Sequence, residues 1–178
     1  MTRRTKIAAA TAALVAITAA NTAAAQSNCL TEREVAHSMI YAAPSAIEAA
    51  QNTCAPRLSK SGFLATGANS MKSRYADLTE EVWPQAKAAM LKLGSKRSEG
   101  QQIAGMMSQM PDEAVRPFVD AMLLQMIAKE IQPNHCANIE RGLSLVNKLQ
   151  PRDAGALIGF VFNIAGTRGQ AICATETK

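Results

Sequence analysis

The chain has 178 residues, 48% of them hydrophobic and 19% charged, with 19 Lys+Arg against 14 Asp+Glu. Arg3, Arg4 and Lys6 hold three of those cations, and without them the count is 16 against 14. The excess charge therefore does not form the clustered basic face that nucleic-acid binding requires, and no nucleic-acid partner is expected.

The first residues read as a secretory signal peptide over 1–25: a positive start, an apolar run Ile7–Ala20, and Ala23-Ala24-Ala25 as a cleavage site before Gln26. The apolar run is short for a bilayer span. Gln26-Ser27-Asn28 lacks the small apolar residues that precede a lipidated cysteine, and Lys6 stands where a twin-arginine signal wants an apolar residue. The expected product is a single helical domain over 26–178, periplasmic or secreted, without a membrane span after cleavage.

Export places Cys29, Cys54, Cys136 and Cys173 in an oxidising compartment, where an even count reads as two disulfides. Thr31 with Glu34 forms a capping box that opens a helix carrying Val35, Ala36, Met39 and Ile40. Pro44 is expected to break it, with Ser45 and Glu48 as a second capping box and a return helix to about Asn52. Such a hairpin would bring Cys54 back to Cys29.

Arg57–Asn69 is indecisive, and Ser70–Ala76 reads as a short helix. Asp77 with Glu80 forms a cap signal before Val82, Ala86, Met90 and Leu93, which repeat at helical spacing until Gly94. Pro84 suits the first turn of that helix better than its interior. Ser98 with Gln101 opens a segment bearing Ile103, Met106, Met107 and Met110. Pro111-Asp112-Glu113 starts the longest amphipathic stretch, with Val115, Phe118, Val119, Met122, Met126 and Ile127 on one face. Pro117 either kinks it or marks its first turn, and Pro133 closes it.

The C-terminal part repeats the cysteine, helix, proline, helix, cysteine plan. Ile139, Leu143, Val146 and Leu149 follow Cys136, and Pro151 turns the chain into Ala154–Gly166, AGALIGFVFNIAG. That run is apolar on every side as a helix and is expected to be the buried rod around which the rest packs. Gly155-x-x-x-Gly159 permits close helix packing. The expected pairing is Cys29 with Cys54 and Cys136 with Cys173, closing N- and C-terminal hairpins in an all-α, compact bundle of about six to eight helices.

No motif assigns a reaction. Phosphate loops, the G-x-S-x-G elbow and H-E-x-x-H are absent from the sequence. Cys136 beside His135 has a better use in a disulfide than as a nucleophile, and Arg33, His37 and Tyr41 share one helix face that reads as solvated. Catalytic, cofactor-binding and metal residues are therefore assigned to none. Paired carboxylates at Glu32/Glu34, Glu80/Glu81 and Asp112/Glu113 stand near helix starts, where the dipole accounts for them. The methionines fit core packing, an adaptable apolar groove, or Cu(I) ligation by Met106, Met107 and Met110. The leading expectation is a non-catalytic exported protein binding a partner protein or an apolar small molecule. A copper or stress-related protein and an enzyme without a recognisable motif are the alternatives.

Overall fold

The computed structural model describes residues 29–96, 98–165 and 172–173. The expected signal segment lies outside them. The described residues form eight α-helices: α1 (Glu32–Cys54), α2 (Phe63–Thr66), α3 (Ala68–Ala76), α4 (Thr79–Gly94), α5 (Ser98–Gln109), α6 (Asp112–Glu130), α7 (Cys136–Val146) and α8 (Pro151–Ile164). The fold is all-α.

The capping box opens α1: the Glu34 N–H donates to Thr31 Oγ1 at 3.2 Å, and the Thr31 N–H donates to Glu34 Oε2 at 2.8 Å. The expected turn at Pro44 does not occur. Pro44 lies inside one continuous 23-residue helix, with Ser45 in mid-helix rather than at a second cap. An interior proline costs about 3 kcal/mol through the donor it removes from the Ile40 carbonyl. Alanine-rich flanks offset part of that. The larger offset is one buried stripe shared by both halves, with Ile40, Ile47 and Cys54 seven residues apart and almost fully enclosed. Each large apolar side chain contributes roughly 1.5–3 kcal/mol when buried.

This helix decides the disulfides. At 1.5 Å per residue it is about 34 Å long, so Cys29 and Cys54 stand at opposite ends and cannot bond to each other. The bridges are Cys29–Cys173 and Cys54–Cys136, nested in sequence, which corrects the hairpin pairing. Each closes one end of α1. Beside the first, Leu30 and Ile172 form an isolated parallel bridge, with the Cys173 N–H donating to the Leu30 carbonyl at 2.9 Å.

α1, not α8, is the central rod: α8, α4, α6 and α3 all pack on it. Trp83, Ile47, Met71, Val82, Val115 and Val119 fill the core, and the Tyr41 ring lies 4.9 Å from the Trp83 ring. α4 begins at Thr79 without a side-chain cap from Asp77, and keeps Pro84 in its interior. α6 likewise starts at Asp112 with Pro117 inside it. At the corner between α4 and α5 the Gly100 Cα faces the Gly94 carbonyl so closely that a Cβ would not fit.

α8 departs most from expectation. It runs antiparallel to α1 and buries only a narrow face, Pro151, Ala154, Gly155 and Gly159. A Cβ on Gly155 would stand 2.8 Å from Ile40, and one on Gly159 2.7 Å from the Glu32 carbonyl oxygen. The glycines thus set the close approach of the two helices, as their spacing predicts. The bulky residues face away, with Phe160 51% and Ile164 65% exposed. Small residues at the contact leave the large ones pointing outward, so the rod is not enclosed.

Candidate functional site

Small residues face one another again along the flank of α1. Ala42, Ala43 and Ala46 of α1 oppose Ala154 and Gly155 of α8, and this leaves a cavity of about 470 Å³. Met39 and Ile158 stand at one side of it. Met71 and Tyr75 of α3, Ile127 of α6, and Leu143 and Val146 of α7 complete the wall. The space is a groove open to solvent on one side: Met39 is 40% exposed, and Ala42, Ala43, Ala46, Leu143, Val146 and Ile158 are half-buried.

Three connections hold the wall. The Cys54–Cys136 bridge joins the end of α1 to the start of α7. The Leu64 N–H donates to Glu140 Oε1 at 3.0 Å, tying α2 to α7. Arg74 donates to the Asn147 carbonyl at 3.0 Å and to its side-chain oxygen, tying α3 to the end of α7.

Of the wall residues only Tyr75 has a polar or ionisable side chain. Burial pushes the Tyr75 pKa up, against a smaller lowering by the Arg74 charge, so the phenol is neutral at physiological pH. Nothing on this wall could deliver or accept a proton near neutrality.

The opposite flank of α8 is different in kind. Glu32, Arg33, His37 and Arg152 line a depression of about 420 Å³. Burial, with help from the Arg33 charge, lowers the His37 pKa, and its Nδ1 is buried without a hydrogen-bond partner. Arg152 donates to both oxygens of Glu81. The two cations here are matched by Glu32 and Glu81, so the depression offers no net charge to an ionic ligand.

Tyr41 does not join Arg33 and His37 on a solvated face. It is buried against Trp83, and burial together with the neighbouring Asp120 carboxylate pushes its pKa well above the ordinary phenol value. Arg116 lies 5.2 Å over the Trp83 ring and pairs with Glu80. In a further depression of about 660 Å³, Lys72 pairs with Glu48, and Gln51 donates to the Leu64 carbonyl and to Asn69, while Asn52 and Lys60 also line it.

The chain matches no family model, no curated protein and no solved structure.

The remaining sequence candidates separate. Met107 is buried in the core whereas Met106 and Met110 are exposed, so the three thioethers do not face one site. Cys136 is oxidised to Cys54 and offers His135 no thiol. Among the described residues no cluster of three or more His, Cys, Asp or Glu side chains is placed to hold a metal, and no helix is long and apolar enough to cross a membrane. Sequence reasoning missed the cavity because it placed a turn at Pro44. That turn divides Ala42, Ala43 and Ala46, whose i, i+1, i+4 spacing marks one face of a continuous helix.

A second apolar feature adjoins the first. Leu157, Phe160, Val161 and Ile164 are all exposed on α8 at i, i+3, i+4 and i+7, a stripe of the kind that normally faces another helix.

Proposed function

We propose that this is a non-catalytic exported protein that binds an apolar small molecule in the cavity between α1, α3, α7 and α8. The observation that carries this reading is the cavity itself: about 470 Å³, walled by aliphatic and methionine side chains where five small residues meet. Ligand sites span roughly 300–1,000 Å³ and are mostly apolar with few polar groups. Methionines in the wall, Met39 and Met71, supply the conformational tolerance such sites use. Two disulfides and the signal-like first 25 residues support an oxidising location, periplasmic or outside the cell.

The test is titration of an environment-sensitive apolar dye against the wild-type protein and against Ala46→Met, which fills the cavity with a flexible side chain. Dye binding to the folded wild type, with loss in a variant of unchanged helix content and undiminished melting temperature, supports the reading. Absence of binding, or equal binding to both proteins, overturns it.

The exposed α8 stripe favours a second reading, recognition of a partner protein's apolar helix face. A photo-crosslinking residue at Leu157 should then yield one discrete adduct in the native compartment, and Phe160→Glu should abolish it. Copper handling draws less support, because Met107 is committed to the core. So does catalysis, because the cavity wall holds no group that titrates near neutral pH.

A further inference from the structure

α8 is apolar on two faces, and the fold covers one of them. Its narrow face of Ala154, Gly155 and Gly159 rests on α1, which carries its main packing among the described residues. The far face is open: Leu157 is 53%, Phe160 51%, Val161 46% and Ile164 65% exposed. Phe162, one turn beyond the groove residue Ile158, and Met39 of α1 are exposed too and widen the apolar surface on the groove side. With roughly 200 Å² for a large apolar residue in full exposure, these six residues present on the order of 500 Å². No residue of the far face belongs to the core, so the fold does not depend on what covers it.

We propose that this surface docks a second copy of the same chain, α8 against α8, antiparallel about a two-fold axis. The proposal rests on the stripe being a docking face and names its partner; it is independent of any ligand in the groove. A two-fold interface needs a patch that meets its own image. The seam has that property: its steps of three, one and three residues read the same in both directions. An antiparallel overlay therefore sets Leu157 against the second copy's Ile164 and Phe160 against the second copy's Val161, and the same pairs recur across the axis. Each pair joins a β-branched side chain to one that is not, so the two rows can interdigitate. No charged residue lies on the seam, and Arg152 and Asp153 stand at the start of the helix, outside it. Antiparallel helices also set opposite dipole ends side by side. Two copies would bury about 1,000 Å² in total, the lower bound for a specific interface, so the pair belongs to the weak class that separates on dilution.

The experiment follows sedimentation of the purified protein over about a hundredfold range of concentration, up to the high micromolar where weak pairs form. The wild type should pass from monomer to dimer and no further, because a two-fold interface closes on itself. Leu157→Glu and Ile164→Lys should each raise the dissociation constant about tenfold or more, since each sets an unpaired charge in the seam. Mixed in equal amounts, the two variants should recover a dimer within about threefold of the wild-type constant, as Glu at 157 then faces Lys at 164 of the other copy. A parallel pair would set position 157 against itself and give no such recovery, so failure of the mixture overturns the antiparallel seam. Circular dichroism should show unchanged helix content in both variants, and loss of it would overturn the exposure on which the seam rests. A dimer that neither variant weakens forms through another surface and overturns the proposal. A wild type that stays monomeric also overturns it. If a photo-crosslinker at Leu157 then still yields one adduct whose mass is not twice that of the chain, the stripe stands as a docking face for a different protein.

Discussion

The Lys92 ammonium sits 2.7 Å from Glu34 Oε1, and the same carboxylate accepts the Thr31 backbone N–H at 2.8 Å. One side chain therefore caps α1 and ties its first turn to the end of α4. Glu34 is nearly enclosed. Burial alone would raise its pKa, but the hydrogen bonds from Lys92 and Thr31 outweigh that and hold it below the ordinary glutamate value. A carboxyl depressed on folding contributes stability above its unfolded pKa, and that contribution is lost as pH falls through the folded value. The urea midpoint should hence drop below about pH 4.3 in the wild type. Glu34→Gln should be less stable at pH 7, with a flatter profile in that acidic window. Lys92→Met, which strands the buried charge, should cost about 2–3 kcal/mol, less than a fully buried pair because Lys92 is partly exposed.

The nested bridges predict two different losses. In the chain-entropy model Cys29–Cys173 contributes roughly 5 kcal/mol and Cys54–Cys136 roughly 4.5 kcal/mol, since both close long loops. Cys54 and Cys136 are fully enclosed in the core, so replacing both by Ser also buries two hydroxyls without partners. The Cys54→Ser/Cys136→Ser variant should lose more in thermal melts than Cys29→Ser/Cys173→Ser. Non-reducing peptide mapping should recover Cys29–Cys173 and Cys54–Cys136 peptides. Recovery of a Cys29–Cys54 peptide would mean that α1 is not one helix.

The contrast between Thr31 and Pro44 shows how much was legible in the residues alone. The Thr31–Glu34 box is a local device: its partners lie three residues apart and owe nothing to the rest of the fold, so the pattern reads true. Gly155 and Gly159 were legible for a similar reason, because small residues at i, i+4 demand close approach whatever the partner. Pro44 was not. Its local preference for a break competes with a buried stripe that spans both sides of it, and only the tertiary partners α4, α6 and α8 decide the outcome. The mistaken turn then propagated to the cysteine pairing and hid the alanine face that floors the cavity. The exposure of α8 was illegible on other grounds, since an all-apolar composition does not state whether neighbours exist to cover it.

That exposure can be measured. Phe160 is half exposed, so Phe160→Glu should change stability by no more than about 0.5 kcal/mol. A core phenylalanine replaced by a smaller residue would cost about 3–5 kcal/mol, and by a charge at least as much. Denaturant unfolding of the purified variant distinguishes the two. A large loss would show α8 enclosed and would remove the stripe as a docking face.

Both tyrosines have pKa values pushed up, Tyr41 by burial and then by Asp120, Tyr75 by burial. A phenol with a raised folded pKa contributes stability that is complete below its unfolded value and declines as pH rises beyond about 10. Since the chain has two tyrosines and neither is at the surface, no phenolate absorbance should develop while the protein stays folded. Absorbance and helix content followed together in an alkaline titration should change in one coincident step. A separate phenolate step before unfolding would place one ring in solvent, contrary to the core described above.

Glycine-to-alanine changes at two helical sites should differ in their effect on stability. In both, alanine gains about 1 kcal/mol of helix propensity over glycine. At Gly142 of α7 nothing lies within 4 Å of the added Cβ, so the gain should appear in full as a higher melting temperature. At Gly159 the Cβ would come 2.7 Å from the backbone oxygen of Glu32, which cannot move without shifting α1. Overpacking of that kind costs about 1–3 kcal/mol, enough to cancel or exceed the propensity gain. Gly159→Ala should therefore melt lower than Gly142→Ala by an amount worth about 1–3 kcal/mol. Equal melting temperatures for the two variants would mean that α8 does not sit against α1 at its glycines, and the wall of the cavity would lose its geometry with it.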